Sequence, residues 1–199
     1  MQRIVKRVLD VAVAVVVGIL ALPVMAAIAV VIRRDSPGPV FFRQTRIGLG
    51  GRPFNIVKFR TMRVGADREW QPPENRDSLG TYYFQDAGDP RITRVGAWLR
   101  QTSLDELPNF WNVFRGDMSV VGPRPEIPEI VALYDARMRQ RLRSKPGITG
   151  LAQVSGRGEL STLESILYDL EYCESWSVRL DLSILLQTVG KVLRGRGAV

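Results

Sequence analysis

The longest apolar run stands at the front of the chain. Val11 to Ile32 is 22 residues without a charge. At ~1.5 Å per residue, a straight helix of that length just crosses a bilayer. Gly18 and Pro23 interrupt the run and predict a bend. Arg3, Lys6 and Arg7 lie before it, and Arg33 and Arg34 after it. Basic flanks favour the cytoplasmic side, and here both flanks qualify. A helix that enters, breaks at Pro23 and returns satisfies both. A straight single span is the generic alternative, and the two stand level on these residues. A cleaved signal peptide is a third reading, with Ala27-Ile28-Ala29 as its cleavage site, although apolarity continues through that site to Ile32. A buried helix of a soluble domain is the fourth, and the run is long for it.

Asp35-Ser36-Pro37-Gly38-Pro39 breaks the pattern and divides the chain into a membrane segment, 1–34, and a globular domain, 35–199. Val40-Phe41-Phe42 and Phe54 to Phe59 read as strands joined by a turn containing Gly48, Gly50 and Gly51. Residues 63–92 are polar and proline-containing, and read as a surface excursion. Helices follow. Val95, Trp98 and Leu99 mark a short one. Ile127, Ile130, Val131, Tyr134, Met138 and Leu142 recur at helical spacing, with Arg137, Arg139, Arg141 and Arg143 opposite. Leu163, Ile166, Leu167, Leu170 and Cys173 form a second stripe, and Leu182, Leu185, Leu186, Val189 and Leu193 a third. Such stripes usually face a core. Behind a membrane segment, the last two also suit helices lying in a membrane interface. The expected fold is α/β and mainly helical, with a small β-hairpin, and no internal repeat is visible.

Composition narrows the chemistry. The 199 residues are 45% hydrophobic and 24% charged, so a core is available. A net charge of +8 suits partners that carry phosphate. There is no histidine, which removes Ser-His-Asp triads and imidazole acid–base steps. One cysteine, Cys173, excludes an intrachain disulfide and a cysteine metal cluster. Covalent or acid–base work falls to carboxylates, Lys, Tyr or Ser.

Ser103-Leu104-Asp105-Glu106 stands before an apolar helix, Leu107 to Phe114, closed by Gly116. The pattern is a capping box, with Ser103 capping and Glu106 reaching back, and on pattern alone that ordinary reading leads. The same place suits catalysis. A helix N-terminus keeps Asp105 ionised and favours phosphate. An ionised carboxylate can attack phosphorus to form an acyl phosphate, with Glu106 handling a proton or helping to hold a metal. Arg100, just upstream, can offset the repulsion between the two anions. The prolines of Gly122-Pro123-Arg124-Pro125 stiffen the backbone around Arg124, a good bidentate phosphate ligand; the alternative is a plain pre-helix turn. Lys145-Pro146-Gly147-Ile148-Thr149-Gly150 and Gly156-Arg157-Gly158 form a basic, glycine-rich region. Lys58-Phe59-Arg60-Thr61-Met62 ends a strand with two cations. No Walker or GxGxxG pattern occurs.

In this order the segments are far more specific than singly. Lys6-Arg7 precede a proline-broken apolar segment. Ser36-Pro37-Gly38-Pro39-Val40-Phe41, Lys58 to Met62, Thr102 to Pro108, Trp111-Asn112-Val113 and Gly116-Asp117-Met118-Ser119 follow. Val121 to Pro125, Lys145 to Gly150 and the region of Tyr172, Trp176, Asp181 and Thr188 complete the set. Over nearly its whole length the chain resembles the bacterial sugar transferase family, the small monotopic phosphoglycosyl transferases. The resemblance implies transfer of a sugar 1-phosphate from a UDP-sugar to undecaprenyl phosphate, with release of UMP. It places the catalytic dyad on Asp105, the nucleophile of a covalent phosphosugar intermediate, and Glu106. It implies Mg2+ held at Asp105 and Glu106. Lys58, Arg60, Arg100, Pro123, Arg124, Pro125, Lys145 and Arg157 are the expected substrate-binding residues. It favours the re-entrant geometry broken at Pro23, with Lys6 and Arg7 at the membrane surface, anionic lipids as partners and the catalytic domain on the cytoplasmic face of the inner membrane.

The chain departs from the family in two places. Leu22 precedes Pro23 where Ser is common, and Leu163-Glu164-Ser165 stands where Trp and a basic residue are usual. Larger members carry further N-terminal transmembrane helices, for which these 199 residues leave no room. Two competing functions rank below: a membrane-tethered nucleic-acid-binding protein, for which no recognition motif appears, and a noncatalytic scaffold. A nucleic-acid partner is not expected. Neither the sugar nor the oligomeric state can be read from these residues.

Overall fold

A computed structural model describes residues 2–83 and 88–194, apart from the side chains of residues 157, 193 and 194. The apolar run forms one long helix, α1 (Gln2–Asp35), with Pro23 inside it. Among the described residues it is the one helix long and apolar enough to cross a membrane. Its middle and flanks expose Val16, Ile19, Leu20 and Leu22. Its two ends nevertheless dock on the same body. Near the N-terminus Asp10 and Ala14 are buried, and near the C-terminus Ile28 and Ile32 are. The arrangement is compatible with monotopic anchoring.

The hairpin forms as its alternation predicts. β1 (Phe41–Ile47) pairs antiparallel with β2 (Pro53–Phe59), Phe41 opposite Phe59 and Ile47 opposite Pro53. Gly50 and Gly51 close the turn at φ 65° and 79°, where a side chain is disfavoured. The free edge of β2 is closed by side chains: Asn109 Oδ1 accepts from Val57 N at 3.1 Å, and Asn112 Nδ2 donates to Asn55 O at 2.7 Å. Residues 63–83 carry only short 3-10 turns.

Helix α2 (Arg94–Thr102) is capped by Thr93, whose hydroxyl accepts from Gly96 N. A 3-10 segment, Leu104–Asn109, then leads into α3 (Phe110–Arg115), which ends on Gly116 at φ 94°. β3 (Ser119–Val121) pairs in parallel with β4 (Gly147–Thr149). Between them the stripe from Ile127 to Leu142 is not one helix. α4 (Pro128–Ala132) stops, and a 3-10 turn, Met138–Arg143, restarts the chain. Asp135 Oδ1 accepts from Met138 N at 2.8 Å and starts that turn. The stripe still packs into one cluster, with Ile127, Ile130, Val131 and Tyr134 buried and Met138 and Leu142 beside them. Arg141 does not lie on a solvated face: it is buried against Asp169 of the second stripe and Tyr134.

After α5 (Leu151–Ser155), helix α6 (Thr162–Ser175) carries the second stripe. It begins with a true capping box, Ser161 with Glu164. Helix α7 (Val178–Arg194) follows. Its body-facing side is Asp181, Ile184 and Thr188, whose hydroxyl meets that of Thr149 at 2.8 Å. Of the third stripe, Leu182, Leu186 and Val189 point outward and are exposed. The ordinary core reading fails for these three, whereas Leu185 packs against the core and the side chain of Leu193 lies outside the described residues; in α6 it holds for Ile166 and Leu170 but not for the exposed Leu167.

Candidate active site

The segment after α2 does not form a capping box. Ser103 takes the left-handed conformation, φ 59°, and closes α2; its side chain makes no cap to the turn that follows. Such a backbone is costly for a residue other than glycine. It swings Asp105 and Glu106 onto β2. Glu106 reaches Lys58 of β2 as an ion pair, and its other oxygen accepts from the Asn109 amide. Asn109 is itself fixed by Val57 N. Glu106 is thus held from two sides, whereas Asp105 makes no side-chain hydrogen bond or ion pair among the described residues.

The electrostatics follow the same division. Burial and the neighbouring Glu106 charge raise the Asp105 carboxyl from 3.8 to about 6, against the pull of Lys58, Arg100 and Arg124. Burial also pushes Glu106 up, but the charges of Lys58 and Arg124 and the bonds from Lys58 and Asn109 outweigh it, and the net displacement is downward. Burial lowers Lys58, with Glu106 opposing. Two adjacent carboxylates are thereby driven apart in proton affinity, the usual sign that they have different tasks.

Three of the expected substrate ligands, Lys58, Arg124 and Pro125, line one small cleft with Glu106. Arg100, from α2, donates Nε–H to Thr61 Oγ1 at 3.0 Å and acts on Asp105. The Arg124 guanidinium has no hydrogen-bond or ion-pair partner among the described residues, but its loop is pinned. The Arg124 carbonyl accepts from Arg141, the Pro125 carbonyl from Arg46 at 3.2 Å, and the Pro123 carbonyl from Gly147 N at 2.8 Å. A fixed loop with a free guanidinium is a ready phosphate ligand.

Three others lie elsewhere or outside the description. Arg60 spends its guanidinium on the carbonyls of Ser36 and Pro37, at 2.8 and 2.6 Å, tying the end of α1 to β2. Lys145 faces Arg7, Asp10 and Asp117 and not the dyad. The side chain of Arg157 lies outside the described residues. Sequence reasoning missed Asn109, which holds Glu106, and Arg46, which holds Pro125. It also missed Gln153, whose buried amide lines the cleft beside Glu106 with neither atom hydrogen-bonded among the described residues.

This geometry also tests for a metal. Among the described residues no three His, Cys, Asp or Glu side chains gather to cage an ion. Magnesium commonly takes one or two carboxylates and completes its shell with phosphate oxygens and water. Glu106 has both oxygens engaged and Asp105 has neither, so the donors fit an ion shared with a bound diphosphate and do not fit a cage made by protein alone.

The model of the family described as bacterial sugar transferase matches residues 1–195. The chain belongs to the bacterial sugar transferase family. Relatives within it bear different substrate names. The chain is 41% identical over 196 residues to galactosyl transferase CpsE of Streptococcus agalactiae, covering 98% of this chain and 43% of that protein. It is 44% identical over 202 residues to the UDP-glucose:undecaprenyl-phosphate glucose-1-phosphate transferase of Escherichia coli, covering 96% and 40%. It is 39% identical over 199 residues to the exopolysaccharide production protein ExoY of Sinorhizobium fredii, covering 97% and 87%. The chain thus spans about two fifths of the first two relatives and most of the third. One named for galactose and one for glucose match this bacterial sugar transferase almost equally well, so overall similarity does not select a sugar.

Proposed function

We propose that this chain transfers a sugar 1-phosphate from a UDP-sugar to undecaprenyl phosphate through a covalent intermediate on Asp105. The observation that carries the reading is the asymmetry of the dyad: Glu106 is held by Lys58 and Asn109, while Asp105 lies half-buried in the field of three cations with its oxygens unengaged among the described residues. An Asp105 oxygen attacks the phosphorus that bears the sugar. The bond from that phosphorus to the bridging oxygen breaks, and UMP leaves with the electron pair. An oxygen of undecaprenyl phosphate then attacks the same phosphorus, restores the Asp105 carboxylate and gives the diphosphate-linked lipid. Arg124 and Arg100 stabilise the charge that moves over the phosphoryl oxygens. Lys58 keeps Glu106 ionised and in place. Mg2+, held by Asp105 and Glu106 with the diphosphate, would neutralise the donor's charge.

The lipid acceptor requires a site at a bilayer. In this proposal α1 is re-entrant, breaking near Pro23, so that both ends lie on the cytoplasmic face of the inner membrane with residues 35–199. Its exposed apolar middle, and the outward Leu182, Leu186 and Val189 of α7, would sit in lipid.

The test is UMP release by protein in nanodiscs with magnesium, across a panel of UDP-sugars, with and without undecaprenyl phosphate. Lipid-dependent release from one donor is expected, with a radiolabelled sugar phosphate trapped on wild type and absent from Asp105→Asn. Equal release by Asp105→Asn would end the covalent mechanism.

A further inference from the structure

We propose that a second cavity, at the N-terminal end of α1, binds the phosphate of an anionic membrane lipid. The cavity is about 440 Å³, the size of a small-ligand pocket, and shares no lining residue with the dyad's cleft. Five cations face it: Arg3, Lys6, Arg7, Arg143 and Lys145.

Two of the five are committed to the fold. Lys6 donates to Asp181 Oδ2 at 2.6 Å and to Val121 O at 2.9 Å. Arg7 donates to Val113 O and Phe114 O, the last carbonyls of α3, at 2.7 and 2.9 Å. Arg3, Arg143 and Lys145 have no side-chain hydrogen bond or ion pair among the described residues. The acidic groups do not balance them. Asp10 turns inward, accepting from Ser119 Oγ and Val120 N at 2.9 and 2.8 Å. Glu174 is exposed on the rim. Burial and the adjacent Arg7 charge lower the Lys145 ammonium, against the pull of Asp10 and Asp117.

Part of the remaining wall is apolar, with Leu49, Leu170, Tyr172 and Trp176 beside the polar Gln140 and Ser144. A cationic end beside an apolar wall fits a phosphate with a hydrocarbon stem better than a free ion. The first turns of α1, which line the cavity, also expose Ile4 and Val8, 70% and 62% accessible. A bilayer that covers those residues brings headgroup phosphates to the cavity mouth. The inference rests on the membrane placement proposed above and is independent of the transfer reaction.

The experiment counts retained lipid by native mass spectrometry of detergent-solubilised protein, with no UDP-sugar present. Dioleoyl phosphatidylglycerol is the lipid probe and glycerol 3-phosphate the soluble one. Two variants are compared with wild type: Arg143→Gln/Lys145→Gln, and Arg3→Gln/Arg143→Gln. The second changes only exposed residues without structural bonds, so a misfolded variant cannot account for its result. One tightly retained phosphatidylglycerol is expected on wild type, with affinity at least about tenfold weaker in both variants, the loss of a charged contact. Equal retention by wild type and both variants would remove the site. Glycerol 3-phosphate binding as tightly as the lipid, and lost in the variants, would overturn the lipid assignment in favour of a soluble phosphate. Failure of UMP release with lipid retention intact would strike the transfer reading alone.

Discussion

Asp105 and Glu106 are neighbours in sequence, yet their surroundings demand opposite things of them. Burying the Asp105 charge costs stability, because its carboxyl rises from 3.8 to about 6 on folding. A raised carboxyl binds its proton more tightly in the folded state, so the cost is absent below about pH 4, grows between pH 4 and 6, and is complete above pH 6. Asp105→Asn removes the charge. In EDTA it is expected to raise the thermal midpoint above pH 6, by at most about 3 kcal/mol of stability, with no gain near pH 3.5. A midpoint that falls at pH 7 would contradict the burial argument. Lys58→Met acts the other way. It leaves Glu106 buried without its cation, and is expected to lower kcat by about 100-fold or more with a smaller change in KM. A purely binding role for Lys58 would move KM instead. The adjacent carboxylates were legible in the sequence, but their geometry was not. Ser103 reads as a cap because Ser-x-x-Glu has that form, and the left-handed turn that redirects Glu106 has no glycine to announce it. The capping box that does form is at Ser161 and Glu164.

Among the elements, α2 shows how packing sets up the site. Gly96 lies so close to the end of β2 that an added Cβ would stand 1.9 Å from Thr61 O. That approach lets Arg100, one turn on, reach Thr61 Oγ1 and the dyad. Gly96→Ala must push backbone from backbone. It is expected to destabilise by about 1–3 kcal/mol, read from denaturant midpoints, and to lower UMP release. Gly18→Ala has open space around it and serves as the control. Periodicity revealed the hairpin, α2, α6 and α7. It failed from Ile127 to Leu142 because apolar residues that share a cluster need not share a helix. Asp135 restarts the turn there, and Arg141 goes inward because Asp169 waits for it. No single-segment pattern records a partner 28 residues away.

For the whole molecule, the exposed apolar residues decide how it meets a membrane. Most of them occupy α1 and the outer side of α7, and exposed Trp98, Trp111 and Phe114 lie on α2 and α3, which pack on α1. Tryptophan favours the membrane–water boundary. Replacing Leu182, Leu186 and Val189 together by Ser removes no core contact of the folded body. It is expected to leave the thermal midpoint in detergent within about 1 kcal/mol of wild type while reducing turnover of lipid acceptor in nanodiscs severalfold. Equal turnover would take α7 out of the interface. The apolar run and its basic flanks were evident in the sequence. That Lys6 and Arg7 serve as bolts to β3, α3 and α7 was not, because a flank of cations looks the same whether it meets lipid or carbonyls.

Those bolts also constrain the order of biogenesis. Lys6 closes onto Asp181, 175 positions later, and Asp10 completes the start of β3. Residues made first therefore wait for residues made nearly last. Trimming α1 to obtain a water-soluble enzyme would not free an intact domain: it would strip Asp181, Val120 and the end of α3 of their partners together. The contacts that complete the body therefore form only once both the first and the nearly last residues of the chain are present.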